Sequence, residues 1–533
     1  MMDVVVVGSG PGGVNAAAAL VAAGRRVLML DVGVTDDRYA ALVPHRPFPA
    51  VRRIDERQHR YFLGDDLEGV PLGPVRVGAQ LTPPRQHITA ERDPRLPVDS
   101  DGFAVVQSLA RGGLGAGWGA GVFPFADDEL RPMGLSAAAL LPHYDAVVER
   151  IGVSGPVDDL AAFFPPSPGL QPPLELDDGA RRILARYERK RARLQARGFF
   201  LGQARLAVCT RPHRGRGPEG YLDLAYWADP DRSVYRPQWT LAELEREPGF
   251  TYLAGRFVRR FEESADGVRV VCDARGVEEI HEARALVLAA GTFGSARIVL
   301  GSLGRYGEPV PVLCNPYTYV PTLNLGVLGR GTPARRHGMA QLTAMLSVDG
   351  GARLVQAQVF SYRSLLTFKL LKEVPLGYRS ALEALRLLMS SFAILGIHHE
   401  DRPTPEKRLV LRPGGRGPDV LEVRYRPSEE ETAVQRTDER RVLRAFLRLG
   451  CLPLGAVRPG HGANMHYAGT FPMLPEGGDL TCDVDGRLRP CRNVYLADGS
   501  VFPWLPAKGL TFTLMACADR VGARLARRLA CPS

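Results

Sequence analysis

The sequence predicts an α/β protein with two lobes, and patterns at both chain ends and in the middle carry this prediction. Near the start, the β-branched run Val4–Val7, a glycine-rich turn and the alanine-rich stretch Val14–Ala23 predict a strand, a tight turn and a helix. Near the end, Val494–Leu496 and Phe512–Leu529 predict another strand and a closing helix. Strand-like runs fill much of the 533-residue chain between them, which is long for a single core. One lobe is therefore expected to draw on both ends, with a second lobe inserted.

The predicted division of the chain follows these patterns. Residues 1–155, 236–304 and 456–533 are assigned to the first lobe, and residues 156–235 and 305–455 to the second. Periodicity predicts the elements in between: a strand at 27–30, helices over 135–151 and 180–197, a strand and hairpin over 255–271, a strand over 285–288, and a helix opening at 291.

The longest apolar stretch is Ala381–Ile397. It contains Glu383 and Arg386 and is too short and too charged to cross a bilayer. Its periodicity predicts an amphipathic helix packed on a core, with weak contact to a membrane surface as the minor interpretation. No transmembrane segment is therefore expected.

The composition excludes several classes of protein. Hydrophobic residues make up 45% and charged residues 24%, which is the balance of a globular chain and not of a disordered or fibrous one. The formal charge of +10 comes largely from scattered arginines, without a basic tract interleaved with aromatics, so no nucleic-acid partner is expected. The eight cysteines form no C-x-x-C, so neither a metal site nor a disulfide framework is predicted. No cleavable apolar segment precedes Val4–Val7, and a cytoplasmic location is the expectation.

A dinucleotide-binding motif occupies the first turn. Gly8, Gly10 and Gly13 form G-x-G-x-x-G directly after a strand and at the opening of a helix, where backbone and pyrophosphate approach closely. The helix N-terminus offers unpaired N–H groups to phosphates. Asp31, at the end of the next strand, is placed to accept hydrogen bonds from ribose hydroxyls. The motif alone does not distinguish FAD from NAD.

Five motifs along the chain resemble those of the glucose-methanol-choline (GMC) oxidoreductases. Two lie in the last hundred residues: N-V-Y-L-A-D-G-S-V-F-P at 493–503 with the helix from Thr511, and H-Y-A-G-T at 466–470. The others are A-A-G-T-F-G-S at 289–295, the N-terminal glycine motif, and G-G-L-G-A-G-W at 112–118. The last of these is similar to the glycine loop of the pyranose-oxidase-like and gluconate-dehydrogenase-like branch.

The resemblance implies a two-lobe GMC-type flavoprotein with a Rossmann-like FAD-binding lobe and an inserted α+β substrate lobe that has a mainly antiparallel sheet. It implies an FAD-dependent enzyme that oxidises a primary or secondary alcohol, sugar-like or a secondary-metabolite intermediate, with oxygen or another electron acceptor. His466 is implied as the base that removes the hydroxyl proton while hydride passes to flavin N5, and His461 and Asn464 lie close enough in sequence to orient it. The residues implied in FAD binding are Gly8, Gly10, Pro11, Gly12, Gly13, Asp31, Gly112, Gly113, Trp118, Val258, Ala290, Gly291, Asp498, Gly499 and Thr511.

The sequence departs from the family pattern at two positions that bear on chemistry. Gly117 stands where some members carry a histidine bonded to the flavin, so FAD is expected to bind non-covalently. Gly509 stands where the family has a second His or Asn beside the substrate hydroxyl, and Lys508 is the candidate replacement. Two alternatives follow from this missing partner: a non-oxidative flavoenzyme of isomerase or lyase type, or a flavin-binding subunit without catalysis.

Overall fold

The structure is a computed structural model that describes residues 2–36, 38–69, 82–90, 93–165, 169–330, 335–361 and 388–530, with a few residues between 375 and 384. The strands are β1 (Met2–Val7), β2 (Val27–Leu30), β3 (Val98–Asp101), β4 (Phe199–Gln203), β5 (Phe250–Leu253), β6 (Arg256–Ser264), β7 (Gly267–Ala274), β8 (Val277–Leu288), β9 (Val310–Pro311), β10 (Leu313–Cys314), β11 (Tyr317–Asn324), β12 (Ala340–Val348), β13 (Arg353–Phe360), β14 (Phe392–His398), β15 (Lys407–Arg412), β16 (Val420–Tyr425), β17 (Cys451–Pro453), β18 (Tyr467–Ala468) and β19 (Val494–Leu496). The α-helices are α1 (Pro11–Ala22), α2 (Phe48–Ile54), α3 (Gln58–Leu63), α4 (Asp127–Leu130), α5 (Ala137–Ile151), α6 (Asp178–Gln195), α7 (Pro237–Leu244), α8 (Gly291–Ser302), α9 (Glu429–Arg448) and α10 (Thr511–Ala530).

The first sheet has the order β5-β2-β1-β8-β7-β6, with β19 beside β8. Strands β5, β2, β1, β8 and β19 run parallel, so their carboxyl ends meet at one edge. Val4–Val7 is fully buried between β2 and β8, which is why it reads as a continuous β-branched run. Helices α1 and α10 pack closely enough that a Cβ on Gly522 would lie 2.5 Å from the Ala16 carbonyl oxygen.

The second sheet belongs to the inserted region and has the order β17-β11-β14-β13-β12-β4, all antiparallel. Helices α6 and α9 cover it with apolar side chains that include Ile183, Tyr187 and Phe446. Strand β14 is central, with β11 on one side and β13 on the other. It ends at His398, where the two sheets approach each other.

A smaller sheet, β3-β16-β15-β9, joins the two regions of the chain, because β3 comes from the first 155 residues and the other strands from residues 310–425. The lobe boundaries given above stay a prediction.

The α/β class, the Rossmann-like first sheet and the mainly antiparallel second sheet confirm the predicted fold. The helix predicted over residues 381–397 is wrong in its second half, since residues 392–398 form β14. A central strand buried on both faces is apolar throughout, and its periodicity does not separate it from a buried helix. Residues 381, 382 and 385–387 lie outside the described residues. No helix in the described part of the chain is long and apolar enough to cross a membrane.

Candidate active site

The glycine turn between β1 and α1 has one face against the protein and one face open. A Cβ on Gly8 would lie 2.5 Å from the Ala289 carbonyl oxygen, and one on Gly13 would lie 1.9 Å from the Gly8 oxygen. A Cβ on Gly12 would meet the Ala497 oxygen at 1.7 Å. At Gly10, in contrast, nothing lies nearer than 4.0 Å. Three of the four glycines are therefore required by packing, and Gly10 faces open space at the N-terminus of α1.

Asp31 is held at the end of β2, as the motif predicts. The Ser9 hydroxyl donates to its carboxylate, and the Tyr252 hydroxyl donates to the same oxygen over 3.2 Å. Burial raises the pKa of Asp31 to about 6, against the lowering effect of these hydrogen bonds. The carboxylate is therefore ionised at neutral pH and able to accept hydrogen bonds from ribose hydroxyls. Its two protein partners were not predicted from the sequence.

The loop 112–118 docks onto the first turn of α1. The Gly112 N–H donates to the Ser9 hydroxyl over 2.9 Å, and a Cβ on Gly115 would lie 2.5 Å from Pro11 Cγ. Gly112 and Gly113 have φ angles of +93° and +56°, which glycine adopts without strain. The loop thus forms one wall of the space in front of Gly10.

The C-terminal motif closes the other wall. Ser295 Oγ donates to the buried Asp498 carboxylate over 2.5 Å, and the Ser500 N–H donates to its other oxygen over 2.9 Å. A Cβ on Gly499 would lie 2.2 Å from the Tyr467 carbonyl oxygen. Asp498 therefore ties the start of α8 to the turn after β19, beside the residues that face the cavity.

One continuous cavity of about 1020 Å³ joins these pieces. Most of the predicted site residues line it, namely Gly8, Gly10, Pro11, Gly12, Asp31, Gly113, Trp118, Val258, Ala290, Gly291, Asn464, His466, Asp498, Gly499 and Thr511. Gly13, Gly112 and Lys508 do not line it.

Two imidazoles face each other at the far end of this cavity. His466 and His398 have ring centroids 5.8 Å apart and planes 19° from parallel. Both rings line the cavity. His398, at the end of β14, was missed by sequence reasoning because it follows a continuous apolar run and belongs to none of the recognised motifs. His461 packs instead against the Tyr425 ring, at 5.2 Å, outside the cavity.

The side chain of Asn315 fixes the tautomer of His466. Its amide nitrogen donates to the carbonyl oxygens of His399 and Pro506, each over 2.8 Å, so its Oδ1 faces His466 as an acceptor. His466 Nδ1 lies 3.3 Å from that oxygen and therefore carries the proton. Nε2 of His466 is left with a free lone pair. Burial lowers the pKa of His466 to about 4, which keeps the ring neutral at physiological pH.

Asn464 lies between the two histidines. Its Nδ2 is 3.4 Å from the Asn315 carbonyl oxygen, 3.2 Å from Nδ1 of His398 and 3.1 Å from Nδ1 of His466. Because the proton on His466 Nδ1 points to Asn315, the two Asn464 N–H groups donate to the Asn315 oxygen and to His398. Rotating the amide by 180° would set two oxygens against each other, so this orientation is the stable one.

Residues 418–518 match the family model for the C-terminal domain of the GMC oxidoreductases, described as "GMC oxidoreductase". This segment contains His466, Asp498 and the start of α10. This part of the chain, about a fifth of its length, is thus similar to the C-terminal domain of the GMC oxidoreductases. A search of curated protein sequences finds no match.

Solved structures share the fold of this chain along nearly its whole length. Pyridoxine 4-oxidase from Mesorbium loti matches with a TM-score of 0.59 and 15% identity, over 98% of this chain and 99% of that one. An FAD-dependent oxidoreductase from Chaetomium thermophilum, solved in complex with a fragment, matches with a TM-score of 0.60 and 14% identity, over 99% of each chain. At these identities the likeness establishes the architecture.

The side chain of Lys508 points away from the cavity. Its ammonium donates to Glu129 over 2.6 Å and to the carbonyl oxygens of Phe163 and Pro124 over 2.8 and 3.2 Å. All three donors are thereby used, and the side chain is fully buried. The hypothesis that Lys508 contacts the substrate oxygen does not fit this geometry.

Gly509 does lie beside His466. A Cβ built on it would be 3.4 Å from His466 Cε1 and 3.3 Å from Phe123 Cδ2. The Phe123 ring therefore occupies part of the space that a larger side chain would need. Gly509 itself lines the cavity but offers no side chain to it.

Proposed function

We propose that this protein oxidises a primary or secondary alcohol to the carbonyl compound with non-covalently bound FAD. The observation that carries the proposal is that one cavity connects the glycine turn of a dinucleotide site with the unprotonated Nε2 of a buried histidine, His466.

The residues present fit a flavin dinucleotide. The cavity volume of about 1020 Å³ lies at the upper end of the roughly 300–1,000 Å³ typical of small-molecule and cofactor sites. The open face at Gly10 suits a pyrophosphate, and the Asp31 carboxylate suits ribose hydroxyls. Trp118 and Thr511 also line the cavity, and Thr511, at the N-terminus of α10, follows Gly509 beside His466 by two residues. A helix N-terminus at that place favours a ring system that gains negative charge.

The protein's own contribution is to take the hydroxyl proton. Nε2 of His466 accepts that proton, since Nδ1 is already protonated and directed to Asn315. Bound FAD supplies the acceptor for the two electrons and the hydrogen that leave the carbinol carbon. The alcohol then departs as an aldehyde or ketone.

The described walls around His466 are uncharged and largely aromatic. Tyr317 and Tyr319 lie on the inserted sheet, with Tyr317 4.3 Å from His398 between ring centroids. Gln358, which shares their face of this sheet through its pairing with Gly396, also lines the cavity, as does Phe123, and both lie next to Gly121. This lining favours a neutral, flat alcohol with a polar substituent over an anionic one, because no charged side chain there would compensate a buried charge. An aryl methanol is therefore the first substrate class to test.

The experiment is anaerobic addition of alcohols to the purified yellow protein. We expect aryl methanols to bleach the flavin absorbance in proportion to the alcohol oxidised, and acid precipitation to release the flavin, since Gly117 has no side chain to bond it. An isomerase or lyase would convert its substrate with the flavin still oxidised, and a non-catalytic subunit would do neither. Flavin that remains in the acid pellet would contradict the non-covalent assignment.

The glycine turn gives a second test, one that does not depend on activity. Gly10→Ala places a methyl group in open space, so the free energy of unfolding of the apoprotein should stay within about 1 kcal/mol of the parent. The same methyl group occupies the place where the pyrophosphate must approach, so the dissociation constant of FAD should rise about tenfold or more, which is ~1.4 kcal/mol. Flavin fluorescence quenching and denaturant titration measure the two quantities.

Two further variants calibrate this result. Gly12→Ala should destabilise the fold itself, because its Cβ would lie 1.7 Å from the Ala497 oxygen. Gly478→Ala, whose Cβ would meet nothing within 4 Å and which lies outside the cavity, should change neither quantity. Parent-like FAD affinity in Gly10→Ala would argue against a pyrophosphate at this turn.

A further inference from the structure

We propose that His398 is a second catalytic residue, which donates a hydrogen bond from Nε2 to the substrate oxygen in place of the side chain that is absent at Gly509. This inference rests on the proposed alcohol oxidation and assigns the missing half of its oxygen-binding site to the inserted sheet.

The position of His398 supports the role. Its ring lies nearly parallel to that of His466 with centroids 5.8 Å apart, and both rings face the same cavity. In the part of the chain that the structure describes, Nε2 of neither ring has a hydrogen-bond partner, whereas Nδ1 of each contacts an asparagine. The two Nε2 atoms are thus both available to a ligand in the cavity.

The tautomer of His398 is opposite to that of His466. Asn464 donates to Nδ1 of His398 over 3.2 Å, so the proton of the neutral ring is on Nε2. Burial, followed by the neighbouring His466 and His399, holds the pKa of His398 well below 6.5, and the ring is neutral at physiological pH.

The pair is therefore complementary to a hydroxyl group. An alcohol oxygen carries one proton to give and lone pairs to accept with. Nε2 of His466 takes the proton, and Nε2–H of His398 donates to the oxygen as negative charge develops on it, which is the stage at which such a hydrogen bond is strongest. After the proton and the carbon-bound hydrogen have left, the same donor contacts the carbonyl oxygen of the product.

The location of His398 in the fold also suits a positioned donor. It ends the central strand β14, opposite Tyr317 of β11 and Gln356 of β13 in the register. The next residue, His399, does not line the cavity and lies with its Nε2 3.8 Å from a Glu439 carboxylate oxygen. Adjacent histidines of one chain segment thus differ in whether they face the cavity, and His399 provides a matched control.

The test compares His398→Ala, His398→Gln and His399→Gln as FAD-loaded enzymes, with benzyl alcohols as the probe. In anaerobic stopped flow, His398→Ala should slow flavin reduction on the order of 10²-fold with KM changed little, as expected for a donor that acts mainly on the transition state. His398→Gln should recover about tenfold of this loss, because its amide N–H reaches the place of Nε2–H. His399→Gln should reduce its flavin at the parent rate.

A spectroscopic readout is independent of turnover. In protein labelled with ¹⁵N-histidine, the His398 signal, identified by its loss in His398→Gln, should report a neutral Nε2–H tautomer between pH 6 and 8. An Nδ1–H tautomer would overturn the donor role. So would parent-like flavin reduction by His398→Ala while His466→Ala is slow, and in that case the alcohol oxidation itself would stand. A parent enzyme that no benzyl alcohol and no other alcohol reduces would overturn the proposed function and the role of His398 together.

Discussion

Replacing His466 by alanine should leave FAD bound and slow its reduction by alcohol on the order of 10²- to 10⁴-fold, the range of a lost general base. The His466 side chain contacts Asn315 and Asn464, whereas Asp31 is held by Ser9 and Tyr252, so the removal of the ring takes nothing from the proposed phosphate and ribose contacts. Anaerobic stopped-flow spectroscopy measures the reduction rate, and the absorbance ratio of flavin to protein measures the FAD content.

The pH dependence gives this prediction a sign. Burial lowers the pKa of His466 to about 4, so the ring is an unprotonated base at every pH well above that value. We therefore expect kcat/KM to stay level from about pH 8 down to about pH 5 and to fall only as pH approaches 4, where the ring protonates. A fall centred near pH 6.5, the value of an unperturbed histidine, would contradict the burial of the base in the working enzyme.

A control separates the base role from a general sensitivity to histidine loss. His461 lies only five residues away, packs on Tyr425 and does not line the cavity. His461→Ala should keep the parent rate of flavin reduction. If His466→Ala retains FAD and is reduced as fast as the parent, another group removes the proton.

Replacing Lys508 by methionine should lower the free energy of unfolding by about 3–5 kcal/mol, the cost of leaving a buried charge without its partner. The Lys508 side chain has no exposed surface, and the Glu129 carboxylate that it contacts over 2.6 Å is 3% exposed. Burial already raises the pKa of Glu129 against the lowering effect of Lys508, so the unpaired carboxylate would become still harder to ionise. Denaturant unfolding of the apoprotein measures the loss.

The double variant keeps this prediction testable if the single one folds poorly. Removing both charges, in Lys508→Met with Glu129→Gln, should recover most of the stability, because the penalty comes from the unpaired charge. The Gln oxygen can still accept from the Ala126 N–H, which Glu129 binds over 2.7 Å. The kcat/KM of the folded double variant should stay within about threefold of the parent. A large loss of kcat/KM with unchanged stability would return Lys508 to the substrate site.

Much of the proposed nucleotide-binding part of the cavity was predictable from the sequence, because it depends on residues at fixed positions within short motifs. At Gly12 and Gly13 a Cβ would lie within 2 Å of a carbonyl oxygen, so only glycine fits there, and the motif shows these glycines at fixed spacing in the sequence. The same holds for Asp31 at a strand end and for His466 in a short motif. The two hydroxyl groups that donate to Asp31, from Ser9 and Tyr252, were not predicted. Tyr252 is 221 positions away from Asp31 in the sequence.

The proposed substrate-binding part of the cavity depends on contacts between distant segments, which produce no local sequence pattern. His398 reaches the cavity because β14 pairs with β11 and β13 in one register, and a shift by one residue would present the other face of the strand. The apolar run before His398 does not distinguish a buried strand from a buried helix. For Lys508 the sequence position was misleading. Its place beside Gly509 suggested a role at the substrate, but its side chain points away from the cavity and donates to Glu129.

The side chain of Asn315 has a consequence for how such enzymes diversify. It joins the carbonyl of His399, just past β14, to that of Pro506, just before α10, and orients His466 between them. The proposed acid–base residues are thus divided between residues 305–455, the proposed substrate segment, and the C-terminal segment, the proposed flavin-binding segment. A chimera that exchanges residues 305–455 for those of a protein with the same fold would receive a new lining of the cavity and, with it, a new hydrogen-bond donor and a new orienting amide. Under the proposed function, swaps of this region should therefore succeed only in pairs with the loop before α10, because specificity and turnover depend on the same contacts.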